Sequence, residues 1–255
     1  MPLTVTHIGG PTALISYAGQ TFLSDPTFDA PGDIPTSGNR TLQKITAPAI
    51  SAADLPQIDV VLLSHDQHAD NLDQTGRELL GEAGKVFSTP AAATRISSVV
   101  GLAPWESAES GPVTITAVPA LHGPEAAGKE AVESLLGEVS GFVLSAENEP
   151  SVYVSGDNAS SALISEIADR FPDIGLAILF AGAARTPYFD GAPLTLTSAQ
   201  LVGAVALLPH AVVVPVHTEG WAHFSESPAD VQSAFDNAGL ADRVNLLDPG
   251  SPTQF

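Results

Sequence analysis

The chain has 255 residues, of which 29 are acidic and 9 are basic, so its formal net charge is −20. So few Lys and Arg side chains, scattered along the sequence, argue against nucleic-acid binding, which depends on basic residues that displace counterions from phosphates. The chain has no cysteine, which excludes disulfides, thiolate nucleophiles and cysteine-based zinc sites and leaves His, Asp and Glu as candidate metal ligands.

The composition is that of a globular protein. Its hydrophobic content of 44% is enough for a sizeable core, and its length favours one to two domains. The sequence contains no apolar run of about 18 residues and no signal-peptide pattern at its start, so it predicts neither a transmembrane helix nor secretion. We therefore expect a cytoplasmic protein without membrane contact. No heptad pattern indicates an oligomeric state, which stays open.

Three short apolar runs separated by glycine-containing turns open the chain. They predict a β-meander at residues 3–8, 13–17 and 21–24. The following segment, residues 26–57, contains five prolines and little periodicity. We expect it to be a long ordered loop that overhangs a pocket, because long loops in compact domains often carry function.

Strands and helices alternate through the rest of the chain, which indicates a layered α/β architecture. The predicted strands are residues 60–63, 85–87, 113–121, 141–145, 152–155, 176–180, 212–216 and 244–247. The predicted helices are residues 72–83, 90–100, 160–170, 198–208 and 228–238, each to within a few positions. A Gly- and Glu-rich connection is expected at residues 123–138.

Two histidines and three aspartates stand close together directly after the strand at residues 60–63. They are His65, Asp66, His68, Asp70 and Asp73. Carboxylates and imidazoles so crowded are typical of a site for a divalent cation. The alternative is a polar loop that caps the next helix, with Asp70 or Asn71 as the N-cap residue.

Three further residues follow predicted strands and strengthen the metal hypothesis. His122, Asp157 and His217 each come at or just after the end of an apolar run. Ligand sites in open α/β sheets lie at such strand ends, so loops on one edge of the sheets can bring these side chains together. Taken singly, each histidine is more often a structural or surface residue, and it is their shared placement that favours a metal site.

With these motifs in this order, the sequence resembles the metallo-β-lactamase fold superfamily, in particular its bacterial branch of metal-dependent hydrolases that includes ascorbate-6-phosphate lactonase-like proteins. The resemblance covers nearly the whole chain and implies a single domain at residues 1–255. It rests on the following segments: FLSDP at 22–26, VLLSHD at 61–66, LHGP at 121–124, GFVL at 141–144, VYVSGD at 152–157 and VPVH at 214–217. The resemblance implies a four-layer αββα sandwich with a metal site along one edge of the sheets.

The family motif is His-x-His-x-Asp-His, and this chain departs from it twice. One inserted residue leaves open whether His65 or Asp66 takes the first ligand place, and Asn71 replaces the last histidine. By resemblance, the first site consists of His65, His68 and His122, the second consists of Asp70 and His217, and Asp157 bridges the two. One or two divalent transition-metal ions are implied, zinc first, with manganese or iron as alternatives.

Several residues around this set carry more open expectations. Asn71 should weaken the second site, because an amide oxygen is a poorer ligand than imidazole for such metals. His223 could compensate, contact substrate or pack beside Trp221, and Asp25 could hydrogen-bond a ligand histidine or form a turn. The basic residues best placed to hold an anionic substrate are Arg40, Lys44 and Arg185, although all three could be surface charges.

A metal ion lowers the pKa of bound water from 15.7 to about 7 and polarises a carbonyl or phosphoryl oxygen. The sequence therefore predicts a metal-dependent hydrolase in which metal-bound water attacks a small ester, lactone, amide or phosphoester. Asp70 or Asp157 would orient the water or accept its proton. The first alternative is a metal-dependent phosphodiesterase or nuclease, although the charge of −20 counts against polynucleotides. The second is a metal-binding protein without turnover.

Overall fold

The chain folds into two β-sheets that pack face to face. This computed structural model describes residues 2–36 and 40–255, with only the backbone described at residue 40. The strands are β1 (Thr4–Gly9), β2 (Thr12–Tyr17), β3 (Gln20–Ser24), β4 (Gly32–Thr36), β5 (Arg40–Lys44), β6 (Val60–Leu62), β7 (Lys85–Ser88), β8 (Val99–Gly101), β9 (Ser107–Ser110), β10 (Val113–Pro119), β11 (Ser140–Ser145), β12 (Ser151–Val154), β13 (Ile174–Phe180), β14 (Val212–Val216) and β15 (Thr253–Gln254). The helices are α1 (Gln74–Leu79), α2 (Pro90–Ala93), α3 (Lys129–Leu136), α4 (Ser161–Arg170), α5 (Ser198–Leu207) and α6 (Pro228–Ala238).

Each large sheet combines antiparallel and parallel strands. The first has the order β15-β1-β2-β3-β6-β7-β8, with the predicted meander antiparallel and β3, β6, β7 and β8 parallel. The second has the order β14-β13-β12-β11-β10-β9, with β12 to β14 parallel and the remainder antiparallel. Strands β10, β12, β13 and β14 therefore run in one direction, and their carboxyl ends share one edge of the sheet.

Three apolar clusters separate the molecule into four layers. The cluster between the sheets includes Ile15 and Phe22 from one sheet and Phe142 and Leu144 from the other. A second cluster joins the outer face of the second sheet to α4, α5 and α6. A third joins the outer face of the first sheet to α1 and α2. The predicted αββα sandwich is confirmed.

The helix ends follow their local sequence. Helix α6 begins after Ser227, whose hydroxyl accepts the Asp230 N–H, and ends at Gly239, which has a positive φ of 69°. Helix α1 begins after Asp73, whose carboxylate accepts the Gly76 N–H at 2.9 Å. The alternative role of Asp70 or Asn71 as the N-cap is therefore wrong, because the cap is Asp73, three and two residues further along the chain.

The described part of residues 26–57 contains a β-hairpin, which the sequence analysis missed. Strands β4 and β5 pair antiparallel, and Lys44 pairs with Trp221 in an isolated bridge. Pro35 is tolerated in β4 because this strand belongs to a two-stranded ribbon, where one side needs no hydrogen-bond donor. The hairpin is thereby joined to the loop after β14.

Three other sequence predictions need correction. The helix expected at 90–100 ends at Ala93, and the β-branched pair Val99 and Val100 forms β8. The connection at 123–138 contains α3, which buries Val132 and Leu136 one turn apart. The strand expected at 244–247 is only a single bridge from Val244 to Val213. None of the helices in the described part of the chain is long and apolar enough to cross a membrane.

Candidate metal centre

Four of the candidate ligands lie beyond strand ends that meet at one edge of the sandwich. His65 follows β6, His122 follows β10, Asp157 follows β12 and His217 follows β14. All four are buried. The structure brings these four side chains to the same edge.

The first group of donor atoms comprises His65, His68, His122 and Asp157, one atom from each lying within 4.8 Å of the others. His65 Nε2 lies 2.8 Å from His68 Nδ1. Asp157 Oδ2 lies 3.5 Å from His122 Nε2 and 4.0 Å from His65 Nε2. Three imidazoles and one carboxylate thus surround a common point.

The second group comprises Asp70, Asp157 and His217. His217 Nε2 lies 3.5 Å from Asp70 Oδ2 and 3.6 Å from Asp157 Oδ1. Because Asp157 directs one oxygen to each group, it stands between them as the family resemblance implies. His223 is outside this set, and its Nε2 donates to Asp70 Oδ2 at 3.0 Å.

The ring orientation of three histidines follows from their outer nitrogens. Nδ1 of His122 donates to the carbonyl of Leu194 at 2.9 Å, and Nδ1 of His217 donates to that of Ala181 at 3.3 Å. His65 Nδ1 lies 2.9 Å from Ser64 Oγ. The single Ser64 hydroxyl proton is donated to Asp25 Oδ2 at 2.7 Å, so the His65 ring must be the donor to Ser64. In each case Nε2 faces the centre, as metal-binding histidines require.

Asp25 supports this arrangement from behind. It accepts the Ser64 N–H at 2.6 Å as well as the Ser64 hydroxyl, so it contacts the ligand histidine His65 only through Ser64. The pKa of Asp25 is raised to about 7, chiefly by burial and in part by the charge of Asp157, although the hydrogen bonds from Ser64 oppose this rise.

Asn71 lies among carboxylates rather than pointing an oxygen at the second group. Its Nδ2 donates to Asp25 Oδ2 and to Asp157 Oδ1, each at 3.2 Å. Its Oδ1 is buried and has no hydrogen-bond partner within the described residues. The amide therefore links two acidic side chains that would otherwise repel each other.

Burial sets the charge of the first group. Burial first, and neighbouring histidines second, lower the pKa of His65 to about 3 and that of His68 to about 4. The two rings are therefore neutral at neutral pH. Neutral imidazole is the form that binds a metal ion.

The second group behaves differently because carboxylates dominate it. Burial opposes the protonation of His217, but Asp157 and Asp70 outweigh it and raise the pKa of this ring. Burial also opposes the ionisation of Asp70, yet His223 and His217 hold its pKa well below the usual range. The pKa of Asp157 is lowered as well, against its burial, by His217 and His122. Both carboxylates are thus anionic.

The donor set fits a divalent cation. Asp157 Oδ2 and His217 Nε2 are buried and have no hydrogen-bond partner in the described part of the protein. Buried polar atoms without partners are costly. Asp157 Oδ2 faces the first group and His217 Nε2 belongs to the second, so a cation held by each group would satisfy these two atoms.

Backbone conformations that L-residues rarely adopt hold part of this site. His217 has a φ of 60°, and such strain is frequent at functional sites. Gly156, just before Asp157, has a φ of 57°, and a Cβ there would lie 2.6 Å from the Ser140 carbonyl oxygen. Only glycine can bring Asp157 this close to the neighbouring strand.

The structure separates the two candidates for the first ligand place. Asp66 points away from the centre and forms a two-point ion pair with Arg95, with Nε–Oδ2 at 2.9 Å. His65 lies inside the first group. The inserted residue of the motif is therefore accommodated between His65 and His68.

A cavity of about 420 Å³ opens onto the centre, lined in part by His68, Asp70, His122 and His223. Thr36, Thr41 and Leu42 of the hairpin also line it, so the expectation that residues 26–57 overhang a pocket is confirmed. Arg185 is exposed at the same cavity. Its contact with substrate, like that of His223, stays a prediction.

Two other basic residues differ from the expectation that they reach substrate. Lys44 is buried and donates to Asp73 Oδ2 at 3.1 Å, so it anchors the hairpin instead. The side chain of Arg40 lies outside the described residues. No local pattern in the sequence indicates this pair, because Asp73 lies 29 residues away in another element.

Comparison with known proteins agrees with this geometry. The family model described as the Beta-lactamase superfamily domain matches residues 20–218. The chain belongs to this family. The predicted resemblance is thereby confirmed. The first and second groups of donor atoms lie at one edge of the sandwich.

Three similar proteins are relevant. UPF0173 protein YddR of Bacillus subtilis (strain 168) is 23% identical over 263 residues, which cover 99% of this chain and 100% of the relative. The structure of a possible metal-dependent hydrolase from Veillonella parvula has a TM-score of 0.86 at 21% identity and covers 100% of both chains. That of isothiocyanate hydrolase from Delia radicum gut bacteria has a TM-score of 0.86 at 22% identity and covers 99% of each. These structures share the fold of this chain.

Proposed function

We propose that this protein is a metal-dependent hydrolase of a small molecule, and that its metal is held by His65, His68, His122 and Asp157. The observation that carries the proposal is the inward direction of three imidazole nitrogens and two carboxylates at one end of a 420 Å³ cavity. The relative from Veillonella parvula, described as a possible metal-dependent hydrolase, supports it.

We assign a second, weaker metal position to Asp70, His217 and the shared Asp157. The mixed nitrogen and oxygen donors suit zinc, with manganese or iron as alternatives. When bound, the metal supplies an acidified water and polarises the group under attack. Because the candidate ligands come from loops of both sheets, residues 1–255 would act as one functional domain.

The chain's own residues would position and deprotonate the reactants. Asp70 is the anionic side chain that both lines the cavity and belongs to the second group. We assign it the role of accepting a proton at the oxygen that faces the substrate. His223 donates to Asp70 Oδ2 and would hold this carboxylate in place, while the fully buried Asp157 would help to hold the metal.

The substrate class follows from the cavity and the metal chemistry. We propose an ester, lactone, amide or phosphoester small enough to enter about 420 Å³, a volume typical of small-molecule sites. An isothiocyanate is a further test compound, because a structurally similar protein is an isothiocyanate hydrolase.

The test is a panel of these compounds offered to the metal-loaded protein, to the chelated protein and to two variants. We expect turnover of at least one class, its loss on chelation, and a decrease of about 10²–10⁴-fold in Asp70→Asn, the usual contribution of a general base. The control Asp236→Asn changes an exposed carboxylate on α6 and should retain full activity. A metal-loaded protein that hydrolyses none of the panel would instead be a metal-binding protein without turnover.

A further inference from the structure

A fourth apolar cluster lies apart from the three cores and forms one wall of the cavity. It consists of Leu136, Ala184 and Leu194, all buried, with Tyr188, Phe189 and Phe224 packed against them. Leu194 also accepts the His122 ring through its carbonyl. This apolar wall is thus connected directly to the proposed metal centre.

The cavity lining is apolar over much of its surface. Its apolar members are Leu42, Leu135, Leu136, Ala184, Pro187 and Leu194. Leu135 on α3 keeps 48% of its surface exposed. An exposed leucine is unremarkable alone, but this one continues the apolar wall to the cavity mouth.

The cavity has little to offer an anion. Apart from its histidines, the described lining side chains with a formal charge are Asp70 and Arg185. Arg185 donates Nε to Ser225 Oγ at 3.0 Å and Nη1 to the carbonyl of Gly191. Its guanidinium therefore braces the loop that carries the apolar wall. The net charge of −20 further repels anions.

We infer that the cavity receives an uncharged apolar alkyl or aryl group of the substrate, and that the scissile bond lies toward His68, Asp70 and His122. This inference rests on the proposed hydrolase function and narrows it. Neutral esters, lactones, amides or similar electrophiles with an apolar body fit the site, whereas phosphorylated and carboxylated compounds do not.

The first experiment measures binding to the wall without the metal. Neutral n-alkanamides from acetamide to octanamide are titrated into metal-free protein and followed by NMR. We expect Kd to fall about two- to fourfold per methylene, as burial of a methylene group predicts, until the cavity is full. The same amides with a terminal carboxylate should bind at least about tenfold more weakly. A Kd independent of chain length, or tighter binding of the carboxylates, would overturn the inference.

Two variants test where the alkyl chain of the amide binds. Leu135→Gln should weaken octanamide binding about three- to tenfold and leave acetamide unchanged, because the long chain covers this residue. Val100→Thr is the matched control, since Val100 is 50% exposed on β8 and does not line the cavity. Equal effects of both substitutions would overturn the placement of the apolar group. Both positions are exposed, so neither change threatens folding.

The second experiment separates this inference from the proposed function. Acetohydroxamate, a small metal chelator, is titrated into the metal-loaded protein by calorimetry, followed by longer alkyl hydroxamates. Binding of acetohydroxamate supports the metal centre. An affinity that rises with the length of the alkyl chain of the hydroxamate supports the apolar wall. If acetohydroxamate does not bind and nothing is hydrolysed, the proposed function fails, while the alkanamide series still decides the apolar site.

Discussion

Asn71 donates its side-chain amide to the Oδ1 of Asp157 at 3.2 Å, and the same Nδ2 donates to Asp25 at 3.2 Å. Asp157 Oδ1 is the oxygen that faces His217. A hydrogen bond from Asn71 therefore competes with a cation for this oxygen, in addition to the loss of the histidine that the family motif carries at this position. Both effects weaken the second metal position relative to the first.

Titration of metal-free protein should accordingly find one tight and one loose equivalent, or a single one. Asn71→His adds a nitrogen ligand and removes the competing hydrogen bond, so it should tighten the loose position by about tenfold, the scale on which groups around a metal change affinity. Asn237→His, exposed on α6, controls for an added histidine. Two equally tight equivalents in the unaltered protein would contradict the argument.

The buried carboxyl of Asp25 should make the metal-free protein less stable as pH rises. Its pKa is about 7 in the folded protein, chiefly because it is buried, against an ordinary value of 3.8. Between about pH 4 and 7 the unfolded chain releases this proton first, so stability is lost across that window. A difference of three in pKa corresponds to about 4 kcal/mol.

Asp25→Asn removes this titration, and asparagine tolerates the positive φ of 25° at this position. Chemical denaturation at several pH values should therefore show a smaller loss of unfolding free energy between pH 4 and 7 in the variant than in the unaltered protein. Asp236→Asn should follow the unaltered protein. Parallel curves for Asp25→Asn would show that burial does not raise the pKa of this group.

Substitution of Arg185 distinguishes a structural role of this side chain from a role in anion binding. Because its guanidinium is engaged by Ser225 and Gly191, Arg185→Ala should raise KM for neutral and anionic substrates by similar factors, within about twofold of each other. The measurement is steady-state kinetics on matched pairs of compounds that differ by one carboxylate. A much larger rise for the anionic member would make Arg185 an anion ligand.

The pair of Lys44 and Asp73 should anchor the hairpin energetically as well as geometrically. Both side chains are buried, so Lys44→Met leaves the buried Asp73 carboxylate without its cation, with only backbone N–H donors, and should cost about 3–5 kcal/mol of unfolding free energy. Adding Asp73→Asn should recover part of this loss. Lys129→Met breaks an exposed pair with Glu133 and should cost under about 1 kcal/mol. Equal losses in urea denaturation would contradict the anchoring role.

The sequence predicted those parts of the molecule in which a local pattern reflects burial. Helix α6 was predicted with its observed bounds, because a cap, a proline and a terminal glycine mark it. Helix α3 was missed, since its two buried residues, Val132 and Leu136, stand among charged and glycine residues. Their spacing of four was the available signal.

The candidate site, like the helices, was predictable where the sequence carries a local signal. Strand ends indicated His122, Asp157 and His217, because the direction of a strand decides the edge at which its last residue lies. The amide of Asn71 and the ammonium of Lys44 were interpreted incorrectly, as a weak ligand and a substrate contact. Their partners, Asp157 and Asp73, are distant in sequence, and only the packed structure brings them together.

Metal analysis of the purified protein tests the central claim most directly. The unaltered protein and His210→Ala, which changes an exposed histidine, should each carry at least one equivalent of a transition metal. His122→Ala should lose it on dialysis, because one of three imidazoles of the first group is gone. A gently purified protein that contains no metal and takes up none on reconstitution, or an His122→Ala variant that retains it fully, would contradict the account.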